Sequence, residues 1–299
     1  MSSRNTTADD RTPAWVDREL YPFQSNYMAF GPGRLHYIDE GEGHPIVMLH
    51  GNPTWSFLYR DLVRGLSDEY RCIVPDYFGF GLSDKPRGWS YRPEDHARIF
   101  EAFVEELRLQ NFTLIVQDWG GPIGLSYALS HPEKVSSLVI MNTFMWPAEN
   151  RRMRAFSTIL GSPFGRYLIR KYNLFADQVV KRSFAERSRL TPRIHRHYLE
   201  PLATPDDREA SWVFPREITG SEEWLRSLWN RRANLGEIPA LLLWPMGDVG
   251  FGIQELRRWQ ALFPDARTVE FEDSGHYIQE EKGPELVPEI QTFLAEEGD

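Results

Sequence analysis

A short stretch around residue 118 joins a buried strand, a sharp turn and a helix in immediate succession. Residues 112–116 form an apolar run of strand type, and a helical pattern follows over residues 122–129. Between them, Gly120 and Gly121 allow strand and helix to pack closely. Asp118 therefore lies at a turn of the kind that presents one side chain as a nucleophile. An aspartate in this position also fits the simpler role of a helix N-cap.

Strand and helix patterns alternate on both sides of this turn. A hairpin is predicted where two strand-like runs, residues 26–30 and 34–39, flank a Gly-Pro-Gly turn. Further strands are predicted over residues 45–49, 71–75, 112–116, 135–141, 238–244 and 267–271, and helices over residues 93–109, 122–129, 251–262 and 284–295. This alternation predicts an α/β protein whose mostly parallel sheet is covered by helices on both faces.

The alternation is interrupted in the middle of the chain. Residues 144–236 are rich in arginine and aromatic residues, show helical periodicity with several prolines, and contain no strong strand pattern. We predict a helical cap over residues 144–236, inserted into a core made of residues 16–143 and 237–299, with a flexible leader over residues 1–15. The basic residues of the cap fit solvated helix faces better than a site for an anionic partner. Its aromatic residues are consistent with a homo-oligomer.

Composition excludes several classes of function. The net charge of -9 over 299 residues argues against nucleic acid as the main partner. No apolar run is long enough to span a bilayer, and the polar N-terminus lacks the apolar stretch of a signal peptide, so we expect a cytoplasmic protein without a membrane partner. The single cysteine, Cys72, cannot form an internal disulfide and fits a buried strand.

Four polar residues lie in the loops that follow predicted strands. They are Asn52, Asp118, Asp248 and His276. Because ligands of parallel sheets bind at the carboxyl ends of the strands, we expect these side chains to share one site. The order of Asp118, Asp248 and His276 is that of a nucleophile, an acid and a histidine in hydrolase triads. His50 precedes the loop that carries Asn52, and we interpret it as a residue that holds this loop by a hydrogen bond.

Four motifs together resemble the haloalkane dehalogenases of the α/β-hydrolase superfamily. They are His-Gly-Asn-Pro-Thr at residues 50–54, Val-Gln-Asp-Trp-Gly-Gly at 116–121, Gly-Asp at 247–248 and Ser-Gly-His at 274–276. The resemblance covers nearly the whole chain beyond the leader and is weakest across the cap. It implies an α/β-hydrolase fold and the hydrolysis of a haloalkane with water to an alcohol, a halide ion and a proton. It implies no cofactor and no metal.

The resemblance also implies a role for each residue. Asp118 would be the nucleophile, since a carboxylate that attacks saturated carbon forms an ester that water can cleave. His276 would activate that water and Asp248 would orient the imidazole. Asn52 and Trp119 would bind the halide through their side chains and the oxyanion through their backbone N–H groups. The alternatives are a turn residue for Asn52 and a packing residue for Trp119.

The set of residues looks like that of the third dehalogenase subfamily. In that family the triad acid can follow either of two strands, and the earlier position holds Asn142 here, so Asp248 is the predicted acid. Asn142 would then line the pocket.

Three other functions remain open at this point. An epoxide hydrolase would use the same aspartate together with cap tyrosines, for which Tyr167, Tyr172 and Tyr198 are the candidates. Asn52 disfavours that function, because epoxide hydrolases commonly carry an aromatic residue there. A fluoroacetate dehalogenase would carry arginines after the turn to bind the carboxylate of its substrate. Here Gly120, Gly121 and Pro122 follow Trp119 instead, which disfavours that function. A non-catalytic binding protein of the same fold would have little reason to keep the nucleophile, the acid and the base.

Overall fold

A computed structural model of the protein describes residues 6–8 and 12–298, and within them nine strands form one sheet. The strands are β1 (Thr6–Ala8), β2 (Asn26–Phe30), β3 (Gly33–Glu40), β4 (His44–Leu49), β5 (Tyr70–Pro75), β6 (Phe112–Asp118), β7 (Val135–Thr143), β8 (Ala240–Pro245) and β9 (Arg267–Phe271). Their order across the sheet is β1-β2-β3-β5-β4-β6-β7-β8-β9. The pairs from β5 to β9 are parallel, and the pairs among β1, β2, β3 and β5 are antiparallel. The mostly parallel sheet predicted from the sequence is therefore confirmed.

Helices follow most of the parallel strands. They are α1 (Arg60–Leu66), α2 (Pro93–Glu106), α3 (Gly120–Ser130), α4 (Arg151–Gly161), α5 (Pro163–Tyr172), α6 (Val180–Arg182), α7 (Pro192–Leu199), α8 (Glu209–Gly220), α9 (Glu222–Asn230), α10 (Ile253–Leu262) and α11 (Ile278–Gly298). None of the helices in the described ranges combines the length and apolar character needed to cross a bilayer.

Alternate side chains of the central strands pack into two hydrophobic cores, one on each face of the sheet. On β6, Leu114 and Val116 pack into the core that holds α2 and α3, whereas Ile115 points into the core that holds α1 and α11. This division follows from the two-residue period of a strand, which sends neighbouring side chains to opposite faces. Both faces of β6 are therefore buried, and its carboxyl end lies in the interior of the sheet between β4 and β7.

The helices α4 to α9 all lie between β7 and β8, within the segment predicted to be a cap. They pack on one another, with α4 against α8 and α5, and form a small apolar cluster of their own around Leu160, Ile169 and Phe175. Of the leader predicted over residues 1–15, residues 1–5 and 9–11 lie outside the described residues.

The closing helix was predicted to start at Pro284, and this prediction is wrong. The helix α11 begins at Ile278 and contains Pro284 and Pro288 within it. Its first turns are polar but buried, so they carry no amphipathic pattern that would mark a helix in the sequence. Two acidic residues in the first turn, Glu280 and Glu281, suit the positive end of the helix dipole.

Candidate active site

The turn between β6 and α3 places Asp118 at the carboxyl end of the central strand. Its backbone has φ 50°, in the left-handed region that residues other than glycine rarely adopt. The glycines that follow are required by space, because a Cβ on Gly121 would lie 1.9 Å from the Thr143 hydroxyl and one on Gly120 would lie 2.2 Å from the Leu49 carbonyl oxygen. The turn therefore lifts the Asp118 carboxylate out of the sheet.

The carboxylate of Asp118 is nearly buried and accepts backbone hydrogen bonds. The N–H of Asn52 donates to Asp118 Oδ1 at 2.9 Å, and the N–H of Trp119 also contacts the carboxylate. Burial raises the pKa of Asp118, although His276 and the two N–H groups act in the opposite direction. The loop after β4 and the turn after β6 thus supply two converging backbone donors.

His276 pairs with the buried Asp248 beside Asp118. His276 Nδ1 lies 2.9 Å from Asp248 Oδ2, and the other carboxylate oxygen of Asp248 accepts the N–H of Gly250 at 2.7 Å. Burial alone would raise the pKa of Asp248, but the imidazole and the hydrogen bonds outweigh it, so the pKa is lowered. Burial alone would lower the pKa of His276, but the Asp248 carboxylate, assisted by Asp118, raises it to about 9.

The second imidazole nitrogen faces the carboxylate at the end of β6. His276 Nε2 lies 3.8 Å from Asp118 Oδ2, which is longer than a hydrogen bond. The structure thus brings Asp118, Asp248 and His276, far apart in the sequence, into one constellation. Its geometry allows Asp118 to attack a bound carbon atom and His276 to take a proton from a water molecule near the same carboxyl group.

The side chains of Asn52 and Trp119 line the cavity over Asp118. The Trp119 ring packs edge-on against Phe144 and Phe214, with centroid distances of 4.9 and 5.6 Å. Within residues 6–8 and 12–298, no hydrogen bond engages the indole N–H of Trp119 or the side-chain amide of Asn52. Two N–H donors therefore remain free to bind a negative charge that develops in the cavity.

Two further amide side chains, those of Gln117 and Asn142, donate hydrogen bonds to the backbone of His276. Asn142 Nδ2 donates to Asp248 Oδ2 at 2.7 Å and to the backbone oxygen of His276 at 2.8 Å. Gln117 Nε2 donates to the same backbone oxygen at 3.2 Å. Asn142 is not among the residues that line the cavity, so the expectation that it lines the pocket is wrong. Gln117 was missed, although a polar residue within the apolar run of β6 was a visible signal.

The cavity above these residues has a volume of about 790 Å³. Its walls are mainly apolar and come from the segment between β7 and β8 and from the residues that follow β8. Charged residues such as Arg152, Glu255 and Arg258 also line it. The apolar lining residues include Phe144, Trp146, Met153, Phe156, Phe175, Val179, Pro215, Ile218 and Phe251. Such a cavity suits an uncharged organic molecule of small to medium size.

The three cap tyrosines considered for an epoxide hydrolase do not reach this cavity. Tyr167 and Tyr172 are exposed on α5, and the buried Tyr198 donates its hydroxyl to Glu280. No proton donor from these tyrosines is thus available to an epoxide oxygen. This geometry disfavours the epoxide hydrolase alternative.

His50 lies beneath the loop that carries Asn52. Its Nδ1 lies 2.9 Å from the backbone oxygen of Gly51, and its Nε2 accepts the N–H of Tyr77 at 3.1 Å. Burial lowers the pKa of His50 to about 4, so the imidazole is neutral and holds two loops together. In the part of the chain that the structure describes, no group of three or more His, Cys, Asp or Glu side chains is arranged to hold a metal ion.

Comparisons with known proteins agree with this geometry. A family model described as the alpha/beta hydrolase fold matches residues 44–283. Haloalkane dehalogenase 2 of Mycobacterium tuberculosis is 40% identical over 274 residues, which cover 91% of this chain and 94% of the relative. A cis-3-alkyl-4-alkyloxetan-2-one decarboxylase of Shewanella oneidensis is 34% identical and covers 93% of this chain and 90% of its own length.

A solved structure gives the same result for the whole fold. The crystal structure of an ancestral haloalkane dehalogenase superposes with a TM-score of 0.83 at 26% sequence identity, over 91% of this chain and 99% of that chain. The family match spans residues 44–283, which include β4 to β9 and the turn that carries Asp118, and the relatives and the solved structure each cover 91–93% of this chain. The chain therefore belongs to the α/β-hydrolase family and, within it, to the haloalkane dehalogenases.

Proposed function

We propose that this protein is a haloalkane dehalogenase that hydrolyses a carbon–halogen bond to give an alcohol, a halide ion and a proton. The observation that carries the proposal is the position of Asp118 between two free N–H donors on one side and the His276–Asp248 pair on the other. The 40% identity to haloalkane dehalogenase 2 over nearly the full length supports the same activity.

The first step needs no general acid or base. A carboxylate oxygen of Asp118 attacks the carbon that bears the halogen, a C–O bond forms, and the halogen leaves with the bonding electron pair. The charge that grows on the halide is stabilised by the Trp119 indole N–H and the Asn52 amide in a largely apolar cavity. The product is an alkyl ester on Asp118. Aspartate serves here where serine cannot, because attack by serine would leave an ether that water does not cleave.

The second step hydrolyses the ester. His276 takes a proton from a water molecule, and the resulting hydroxide attacks the carboxyl carbon of Asp118. The oxyanion of the tetrahedral intermediate accepts hydrogen bonds from the backbone N–H groups of Asn52 and Trp119. Collapse of the intermediate expels the alcohol and restores the carboxylate. Asp248 stabilises the imidazolium until its proton passes to solvent.

A second candidate function is the decarboxylation of an oxetan-2-one. The observation in its favour is the decarboxylase relative, which is 34% identical over 93% of this chain. The same nucleophile would open the four-membered ring at its saturated C–O carbon, with a carboxylate as the leaving group. Loss of carbon dioxide would then form a carbon–carbon double bond and release Asp118. Water and His276 would have no part in that route.

Bromide release from 1,2-dibromoethane in weak buffer tests the proposal. The wild type should release bromide and acidify the solution, and Asp118→Ala should do neither. Asp265→Ala, which removes an exposed carboxylate outside the cavity, is the matched control and should behave as the wild type. Residual release by Asp118→Ala above a few per cent would exclude Asp118 as the nucleophile. If the wild type releases no bromide but forms carbon dioxide from an oxetan-2-one, the second function replaces the first.

The role of the segment between β7 and β8 and the subfamily are also part of this proposal. We infer that residues 144–236 act as a cap that closes the cavity over the core, and that the set of site residues is that of the third dehalogenase subfamily. The cytoplasmic location and a homo-oligomeric state stay predictions. Water, the halogenated hydrocarbon and the halide ion are the small molecules that the proposed reaction involves.

A further inference from the structure

Two adjacent carboxylates at the start of α11 connect the core with the segment between β7 and β8. Glu280 and Glu281 are 7% and 3% exposed. Glu280 receives a bidentate hydrogen bond from Arg60, at 2.5 and 2.6 Å, and a hydrogen bond from the Tyr198 hydroxyl on α7. Arg60 lies on α1, so Glu280 joins α1, α7 and α11 through charge-assisted contacts.

Glu281 differs from its neighbour because no cation pairs with it within residues 6–8 and 12–298. Its Oε1 accepts the N–H of Glu186 at 2.6 Å, and its Oε2 accepts the N–H of Gly275 at 2.6 Å. Burial raises the pKa of Glu281, while the N–H groups of Glu186, Gly275 and Ala185 act against that effect. The carboxylate therefore bridges two separate backbone segments.

One of these segments carries His276. The residue before it, Gly275, lies so close to the segment after α6 that a Cβ would be 2.4 Å from the backbone oxygen of Ser183. The N–H of His276 itself donates to the same Ser183 oxygen at 2.8 Å. Gly275 and His276, which we call the histidine loop, thus pack against residues 183–186. Glu281 joins the two segments by accepting one N–H from each.

We propose that Glu281 is a positioning residue for ester hydrolysis: by holding Gly275 against Glu186, it fixes the direction in which His276 presents its imidazole to Asp118. This inference rests on the proposed dehalogenase function and adds a residue to its second step. A carboxylate is suited to the task because each of its two oxygens accepts one N–H. Glutamine offers a single acceptor oxygen, and its amide N–H₂ would face a backbone donor.

The two chemical steps depend on different parts of the fold. Alkylation uses Asp118, Asn52 and Trp119, which lie at the ends of β4 and β6. Hydrolysis also needs His276, which lies in the loop between β9 and α11. A displacement of that loop therefore slows hydrolysis and leaves alkylation intact. Under turnover, the slower second step makes the alkyl ester accumulate on the enzyme.

The test compares Glu281→Gln with Glu280→Gln, which makes the same chemical change one residue away and does not touch the histidine loop. Each enzyme is mixed with 1,2-dibromoethane and quenched in acid during steady turnover, and the alkylated fraction is measured by intact-mass spectrometry. We expect Glu281→Gln to hydrolyse the ester roughly 10- to 100-fold more slowly, as for a displaced catalytic group, and to accumulate the adduct. Glu280→Gln should lose stability without accumulating it.

The His276→Phe variant serves as the reference for a complete block of hydrolysis. An adduct on His276→Phe without one on Glu281→Gln overturns the positioning role and leaves the proposed function in place. An equal loss of both steps in Glu281→Gln also overturns it, because that result indicates a general loss of folded enzyme. If neither variant forms an adduct, the proposed function fails and the inference fails with it. Glu281→Asp, which keeps the charge but shortens the side chain, replaces Glu281→Gln if the latter does not fold, and the same outcomes apply.

Discussion

The charge of Asp118 should assist Asp248 in holding a proton on His276, and replacing Asp118 by asparagine removes that charge with little change of shape. The two groups are 3.8 Å apart. At that distance a unit charge contributes about 1 kcal/mol in water and about 4 kcal/mol at the effective dielectric constant of a protein site. These energies correspond to roughly one to three pH units. Since a negative neighbour favours the charged imidazolium, Asp118→Asn should lower the pKa of His276 from its value of about 9 by at least about one pH unit.

An NMR titration of the imidazole resonances between pH 5 and 10 measures this effect. The protein has eight histidines, and the signals that disappear in His276→Phe identify the relevant one. An unchanged or higher pKa in Asp118→Asn would refute the reasoning, because it would mean that Asp118 does not act on the imidazole through its charge.

The same effect operates during turnover. Formation of the ester neutralises Asp118 in the way that asparagine does, so it should lower the pKa of His276 and raise the fraction of the imidazole that is the free base. The neutral form is the one that accepts a proton from water, so hydrolysis should rise with pH through the pKa of the alkylated enzyme. That midpoint should lie below the midpoint of about 9 for the free enzyme. The nucleophilic step would thus prepare the base for the hydrolytic step.

Two further predictions concern the halide site and the stability of the fold. Trp119→Phe keeps an aromatic ring but removes the indole N–H, and it should slow ester formation roughly 100-fold, as for the loss of one preorganised donor; rapid-quench mass spectrometry measures this rate, and an unchanged rate would contradict the halide role. Arg60→Met leaves the buried carboxylate of Glu280 without its cation and should lower the free energy of unfolding by about 3–5 kcal/mol. Arg71→Met, which breaks a partly exposed ion pair with Asp39, is the matched control and should cost about 1 kcal/mol or less; equal losses in urea unfolding would show that burial of the pair does not matter.

Much of the fold could be predicted from the sequence because its strands are short and bounded clearly. Most of the parallel strands are largely apolar runs with a proline or polar residue at or just after their end, and β6 and β8 are buried along their whole length. The sequence pattern places the start of α11 too late because the first turn buries polar residues, Gln279 and Glu280 among them, and so shows no apolar stripe. Pro284 then looked like the first residue of the helix, although it lies inside it.

The site could be predicted where a residue is tied to the end of a strand. Asp118 ends β6, and Asp248 and His276 lie in the loops after β8 and β9, so the topology alone brings them together. The locations of Tyr167, Tyr172 and Tyr198 could not be predicted, because they lie on helices whose packing does not follow from the order of the strands. The contacts of Glu281 could not be predicted for another reason. Its partners are the backbone N–H groups of Glu186 and Gly275, and every residue except proline has such a group, so the residue types give no signal.

The left-handed backbone of Asp118 sets stability against activity at a single position. An L-residue in that conformation costs about 1–2 kcal/mol, whereas glycine adopts it freely. Glycine at this turn would therefore relieve the backbone cost, but it would also remove the carboxylate that accepts the N–H of Asn52 and would lack a nucleophile. Laboratory evolution that selects for heat resistance alone would reward that change, so any such selection must screen for turnover in every round.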